Sequence, residues 1–168
     1  GNMADITVKF FSGSLLRTVS FGVYIPGDGR GETPRESGEI KTLFLLHGYT
    51  ESPCNRIPEY LSEKYGFAVV TPDGENSFWL DSPATGRKYG EYVGRELVEY
   101  LRRTFGLARG TDDTYIMGFS MGGFGALHTA LAYPENFGKT AAISSALIVH
   151  EVAGMKPGSY NGVANYDY

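Results

Sequence analysis

The stretch Gly118-Phe119-Ser120-Met121-Gly122 constrains the fold most, because of what flanks it. Before it runs Tyr115-Ile116-Met117, the pattern of a buried strand. After it, Met121 to Tyr133 is rich in small residues and reads as a helix that ends before Pro134. A chain that passes from strand to helix across so few residues must turn tightly. Side chains at Gly118 and Gly122 would collide with neighbouring backbone there. In a chain with 23 glycines the five-residue pattern alone says little, and the strand–turn–helix context gives it weight. Such a turn lifts Ser120 Oγ to the carboxyl end of the sheet, with a helix N-terminus behind it. That is the geometry of a nucleophile elbow.

The rest of the chain supplies a sheet for this turn. Ile6 to Phe11 and Thr18 to Ile25 alternate as half-buried strands. Thr42 to Leu46, Phe67 to Thr71, Thr114 to Met117 and Thr140 to Ser144 are apolar runs of the kind covered on both faces. Between them, Asn55 to Tyr65 reads as a helix closed by Gly66. Tyr89, Val93, Leu97 and Leu101 recur with helical spacing. Buried strands alternating with helices predict a single α/β domain over residues 1–168, a mostly parallel sheet with helices on both faces. Asp73 to Arg87 reads as a mixed loop. Beyond Ser145 the pattern fades, and residues 146–168 read as the start of a cap or loop region.

Composition excludes several function classes. The net charge of -4, with scattered Lys and Arg, argues against nucleic-acid binding. Cys54 is the one cysteine, outside any metal-ligand spacing, and the three histidines lie far apart, so neither an internal disulfide nor a metal site is expected. No apolar run approaches a membrane span. Gly1 to Met3 reads as an expression remnant with no signal-peptide core after it, so a cytoplasmic protein is expected, and a secreted one whose signal peptide had been removed would leave the same trace.

A second motif, Leu45-Leu46-His47-Gly48-Tyr49, follows the first fully apolar strand. A loop there can give one backbone N–H to an oxyanion while the residue after the nucleophile gives another. By spacing these donors are the N–H groups of Tyr49 and Met121. His47 precedes the donor and is expected to buttress the loop. The blocks LFLLHGYTES, AVVTPDGENSFWLD, GEYVGRELVEYLRRTFG and IMGFSMGGFGALHTALAYPENF, in that order, resemble the esterase D-like enzymes, especially the tributyrin esterases. The resemblance runs from about Ile6 to Leu147. It implies an α/β-hydrolase fold and cofactor-free hydrolysis of small carboxylic esters by a serine. It also makes Trp79, in the Asn76-Ser77-Phe78-Trp79 segment, a candidate wall of the substrate pocket. S-formylglutathione hydrolase is disfavoured within the group, because Tyr49-Thr50-Glu51-Ser52 replaces its cysteine-bearing loop.

The serine needs a base and an orienting carboxylate, in chain order Ser, Asp or Glu, His. After Ser120 only His128 and His150 remain. His128 is roughly 12 Å along the same helix at 1.5 Å per residue, too far to serve. For His150 the one acid between it and the nucleophile is Glu135, expected at the opposite edge of the sheet, and Asp167 would invert the order. In the resembling family the Asp and His lie on later strand–loop units. The expectation is therefore a chain truncated before its last strands, inactive alone, with an exposed sheet edge able to form a homo-oligomer. A non-catalytic binding module and an acyltransferase are the alternatives.

Overall fold

The computed structural model describes residues 4–27, 40–53, 59–82, 85–147 and 154–160. Cys54, His150 and Asp167 lie outside them. So does the expected start of the first helix, whose described part is α1 (Glu59–Tyr65). Gly66 closes α1 in a left-handed conformation, with its N–H donating to Ser62 O at 2.8 Å.

Six strands form one sheet in the order β1-β2-β4-β3-β7-β8. β1 (Ala4–Ser12) and β2 (Arg17–Ile25) are an antiparallel hairpin, and β2 pairs antiparallel with β4 (Phe67–Pro72). From β4 onward the sheet is parallel, through β3 (Lys41–Leu46), β7 (Thr114–Phe119) and β8 (Lys139–Ile143). β4 runs on through Pro72, which sits opposite Phe21 at the end of the ladder. The stretch expected to be loop contains a short hairpin, β5 (Asp81–Ser82) and β6 (Arg87–Lys88).

Alternation along the strands divides the core in two. Phe44, Leu46, Val70 and Ile116 face the main cluster, which also takes in Trp79, Tyr89, Val93, Leu97, Leu101, Met121 and Ala126. The helical spacing that begins at Tyr89 is thus a buried stripe. It is carried by α2 (Tyr89–Glu91), a π-helical turn (Tyr92–Glu96) and α3 (Leu97–Phe105). The π turn brings Gly94 against the Tyr133 ring, where an added Cβ would lie 2.2 Å from a ring carbon. Asn136 Nδ2 donates to Gly94 O at 2.7 Å. These contacts tie the stripe to the end of α4 (Met121–Ala132).

On the other sheet face Leu45 and Val69 pack with Leu43, Phe67 and Met117. A groove of about 740 Å³ opens there between α1 and β8, lined by Leu43, Leu45, Tyr65, Val69, Met117 and Ile143. β8 has the apolar composition of a strand covered on both faces, and it is the exposed edge that a sheet ending at this strand is expected to leave. It lies last in the sheet, it is mostly exposed, and no described element covers its groove face. No described helix is long and apolar enough to cross a membrane, and no described cluster of His, Cys, Asp and Glu could hold a metal.

Candidate active site

Ser120 occupies the turn between β7 and α4 with φ 53° and ψ −116°, and its side chain is exposed. L-residues avoid this region at a cost on the order of 1–3 kcal/mol, and they persist there only when surrounding structure holds them. Here the hold is explicit. Ser120 N–H donates to Ile143 O at 3.0 Å, while Ser120 O accepts from Phe124 N–H and Ala146 N–H, each at 3.1 Å. The flanking glycines are obligatory. A Cβ at Gly118 would lie 2.2 Å from Gly122 O, and one at Gly122 would lie 2.1 Å from Leu46 O. β3, β7 and α4 therefore meet backbone to backbone beneath the serine.

Six of the eight described non-glycine residues with positive φ follow the carboxyl ends of the parallel strands. These are Thr50, Glu75, Phe78, Trp79, Ser120 and Ser144. Strain of this kind gathers where function requires it, and here it marks one end of the sheet.

The loop after β3 lies against the elbow. A Cβ at Gly48 would sit 3.5 Å from Phe119 O. Gly48 N–H donates to Glu51 Oε2 at 2.8 Å and Gly48 O accepts from Glu51 N–H at 3.2 Å, so the loop closes on itself. Thr50 N–H donates to Asn76 Oδ1 at 2.8 Å, which joins this loop to the one after β4. Among the described residues neither Tyr49 N–H nor Met121 N–H is engaged in a hydrogen bond. Met121 is the first residue of α4, with no carbonyl one turn earlier to bond. Both expected donors are thus on the same edge as Ser120. The Tyr49 phenol is pushed above its ordinary value, first by burial, then by the charge of the neighbouring Tyr160 and its hydrogen bond.

Trp79 requires a correction. The resemblance made it a pocket wall, but its side chain is fully buried. Positive φ at Phe78 and Trp79 turns the indole inward, onto Gly74 and Gly125, where added Cβ atoms would lie 2.6 and 2.4 Å from its ring. Its Nε1–H donates to His47 O at 3.3 Å. Trp79 therefore supports the loop after β3 from behind. Tyr49, Phe78 and Phe124 form a run of aromatic rings with centroid separations of 5.9 and 6.0 Å, and all three are more accessible than Trp79.

The histidines separate as spacing predicts. His128 is exposed on α4, stacked on Phe124. His47 is buried in the loop, with both ring nitrogens in hydrogen bonds. His150 lies outside the described residues. Glu135 lies past the far end of α4, where its carbonyl accepts from Thr111 Oγ1. No described histidine bonds Ser120 Oγ. Beside the loop, Arg17 donates to the Tyr89 hydroxyl and Tyr89 donates to Glu75, each at 2.6 Å. Burial, with Glu75 adding to it, holds the Tyr89 phenol protonated well above its ordinary range. Sequence reading missed this network and the Glu51 clasp. Glu51, three residues after Gly48, carried the only available hint.

Comparison with known proteins gives these features a family. Residues 12–155 match the family model described as "Putative esterase". An acetyl esterase of Caldicellulosiruptor saccharolyticus is 38% identical over 174 residues, an alignment covering 99% of this chain and 65% of that protein. Fluorophosphonate-binding serine hydrolase F of Staphylococcus aureus, solved with substrate bound, superposes with a TM-score of 0.78 at 25% identity, over 98% of this chain and 64% of that one. An S-formylglutathione hydrolase of the same organism superposes with a TM-score of 0.74 at 26% identity, over 93% and 63%. The chain thus spans a little under two thirds of the length of these relatives. With the parallel sheet and the serine turn on the same chain, and with the family model matching residues 12–155, it belongs to the esterase family of the α/β-hydrolase fold.

Proposed function

We propose that the protein carrying this chain is a serine carboxylesterase acting on small acyl esters, acetyl esters foremost. Ser120 attacks the ester carbonyl, and the Tyr49 and Met121 N–H groups stabilise the oxyanion. The ester C–O bond breaks as the alcohol leaves carrying the serine's proton, and water then cleaves the acyl–Ser120 bond to release the acid. The observation that carries this reading is the strained, exposed Ser120 at the β7–α4 turn, directly before the first residue of α4. The acetyl esterase relative supports the choice of acyl group. The reading requires the general base to come from outside the described residues.

The test uses the protein expressed from its natural reading frame. It should take a fluorophosphonate label and hydrolyse p-nitrophenyl acetate, and Ser120→Ala should abolish both while leaving the melting temperature within about 2 °C. Turnover retained in Ser120→Ala would refute the assignment. A second reading, a binding module that keeps the fold without the chemistry, is favoured by the lack of any described histidine at Ser120. A folded natural-frame protein that neither labels nor turns over would establish it. Transfer of the acyl group to an alcohol other than water uses the same residues and appears as ester exchange in the turnover assay.

Two further properties belong to the same proposal. With a single cysteine the chain makes no internal disulfide, which suits a cytoplasmic setting. The exposed β8 edge and the apolar groove beside it suit self-association of the chain.

A further inference from the structure

His47 is buried beneath the oxyanion loop with each ring nitrogen bonded to a different backbone group. Nδ1 lies 2.8 Å from Gly48 O, and Nε2 lies 2.9 Å from the Gly74 nitrogen, whose N–H points at it. The partners fix the proton. A carbonyl can only accept and an N–H can only donate, so Nε2 is bare and Nδ1 carries the hydrogen. Asp73 Oδ1, 3.4 Å from Nε2, would compete only for a protonated Nε2, and it already accepts from Glu75 N–H at 2.9 Å.

The consequence lies in the peptide that Nδ1 grips. Gly48 C=O and Tyr49 N–H belong to one planar trans unit and point in opposite directions. A donor that fixes the carbonyl therefore fixes where the N–H points. His47 Nδ1–H and Glu51 N–H both hold that carbonyl, from within the loop. Trp79 Nε1–H holds the His47 carbonyl one peptide earlier, and the indole packs 5.1 Å from the imidazole. We propose that His47 is a positioning residue that, as the neutral Nδ1–H tautomer, clamps the Gly48–Tyr49 peptide so that the Tyr49 N–H faces the reacting carbonyl at Ser120. This rests on the oxyanion reading above. It gives the buried histidine a role outside proton transfer, with the loop after β4 supplying its second anchor through Gly74.

The first experiment is ¹⁵N NMR of the chain with labelled histidine, which reads the ring tautomer directly. A protonated Nδ1 and a bare Nε2 are expected; a proton on Nε2 overturns the proposal whatever the activity. The second measures fluorophosphonate labelling rates of the natural-frame protein and two variants. His47→Asn places an amide N–H near the Nδ1 position and should keep most of the rate. His47→Gln reaches only the Nε2 position and should label roughly 100-fold more slowly, the loss typical of one oxyanion donor. In Gln the fall should appear in the inactivation step rather than in probe binding, at a melting temperature matching that of Asn. Equal rates in the two variants overturn the proposal. If both variants fail to fold, the tautomer decides. A wild-type protein that does not label refutes the Ser120 reading, while the tautomer still tests the clamp on its own.

Discussion

Replacing Gly122 by alanine adds one methyl group at the most crowded backbone contact described in the site. That carbon would lie 2.1 Å from Leu46 O and 2.7 Å from His47 O, where real Cβ atoms essentially never come within 3.0 Å. Both neighbours are backbone atoms, so no side-chain rotation relieves the clash, and α4 must move about 0.9 Å away from β3. Overpacking of this kind costs typically 1–3 kcal/mol. With β3 at the sheet centre and α4 pinned at Ser120, the upper end, about 3 kcal/mol, is expected. For a chain of this size that lowers the melting temperature by roughly 6–12 °C. The same displacement separates Met121 N–H from the His47–Tyr49 loop, and a shift near 1 Å costs on the order of a hundredfold in rate. Thermal melting by circular dichroism reads the stability and p-nitrophenyl acetate turnover of the natural-frame protein reads the rate. Gly110→Ala is the control, since its added Cβ meets nothing within 4 Å and its backbone is extended. A Gly122→Ala protein that melts within about 2 °C of wild type would falsify the backbone-contact argument.

Two other outcomes follow from burial and exposure. Trp79→Ala removes a fully buried indole and should destabilise by about 3–5 kcal/mol, lowering rates on acetyl and aromatic acyl esters together; a selective change in acyl preference would restore it to the pocket wall. The isolated chain should self-associate in light scattering, and Ile143→Lys, which puts a charge on the exposed edge strand, should shift it toward monomer; a wild-type chain that stays monomeric at high concentration removes the edge from the argument.

Much of this architecture is legible before any coordinates, for a physical reason. Runs such as Phe44 to Leu46 or Ala68 to Val70 are apolar on consecutive residues, which only a strand covered on both faces tolerates. The Tyr89, Val93, Leu97, Leu101 stripe survives even the π turn inserted within it, because burial constrains the face more than the hydrogen-bond pattern. The Ser120 turn and the Gly48 loop are legible as close backbone approaches because glycine marks where backbone must approach backbone, at Gly118, Gly122 and Gly48. Trp79 is misplaced because its direction depends on positive φ at two bulky residues, Phe78 and Trp79, where no glycine announces the turn. β8 shows a different limit. Thr140 to Ser144 has the composition of a covered strand, and only the expectation that the sheet ends there marks it as the exposed edge it is, because coverage depends on neighbours the run itself does not encode.

The strand order has a consequence for synthesis. β2 leaves the ribosome long before β4, its partner across the sheet, and β3 emerges between them although it pairs with neither β1 nor β2. The first side of β3 is satisfied when β4 arrives, but its other side waits for β7. The roughly 70 residues between β3 and β7 take about 3–14 s to translate at 5–20 residues per second. Throughout that interval the nascent chain carries an apolar central strand with one edge open. The serine turn, built from the last residue pairs of β3 against β7, cannot exist until that edge closes. Formation of the Ser120 turn and completion of the sheet centre are therefore one event in the life of the chain.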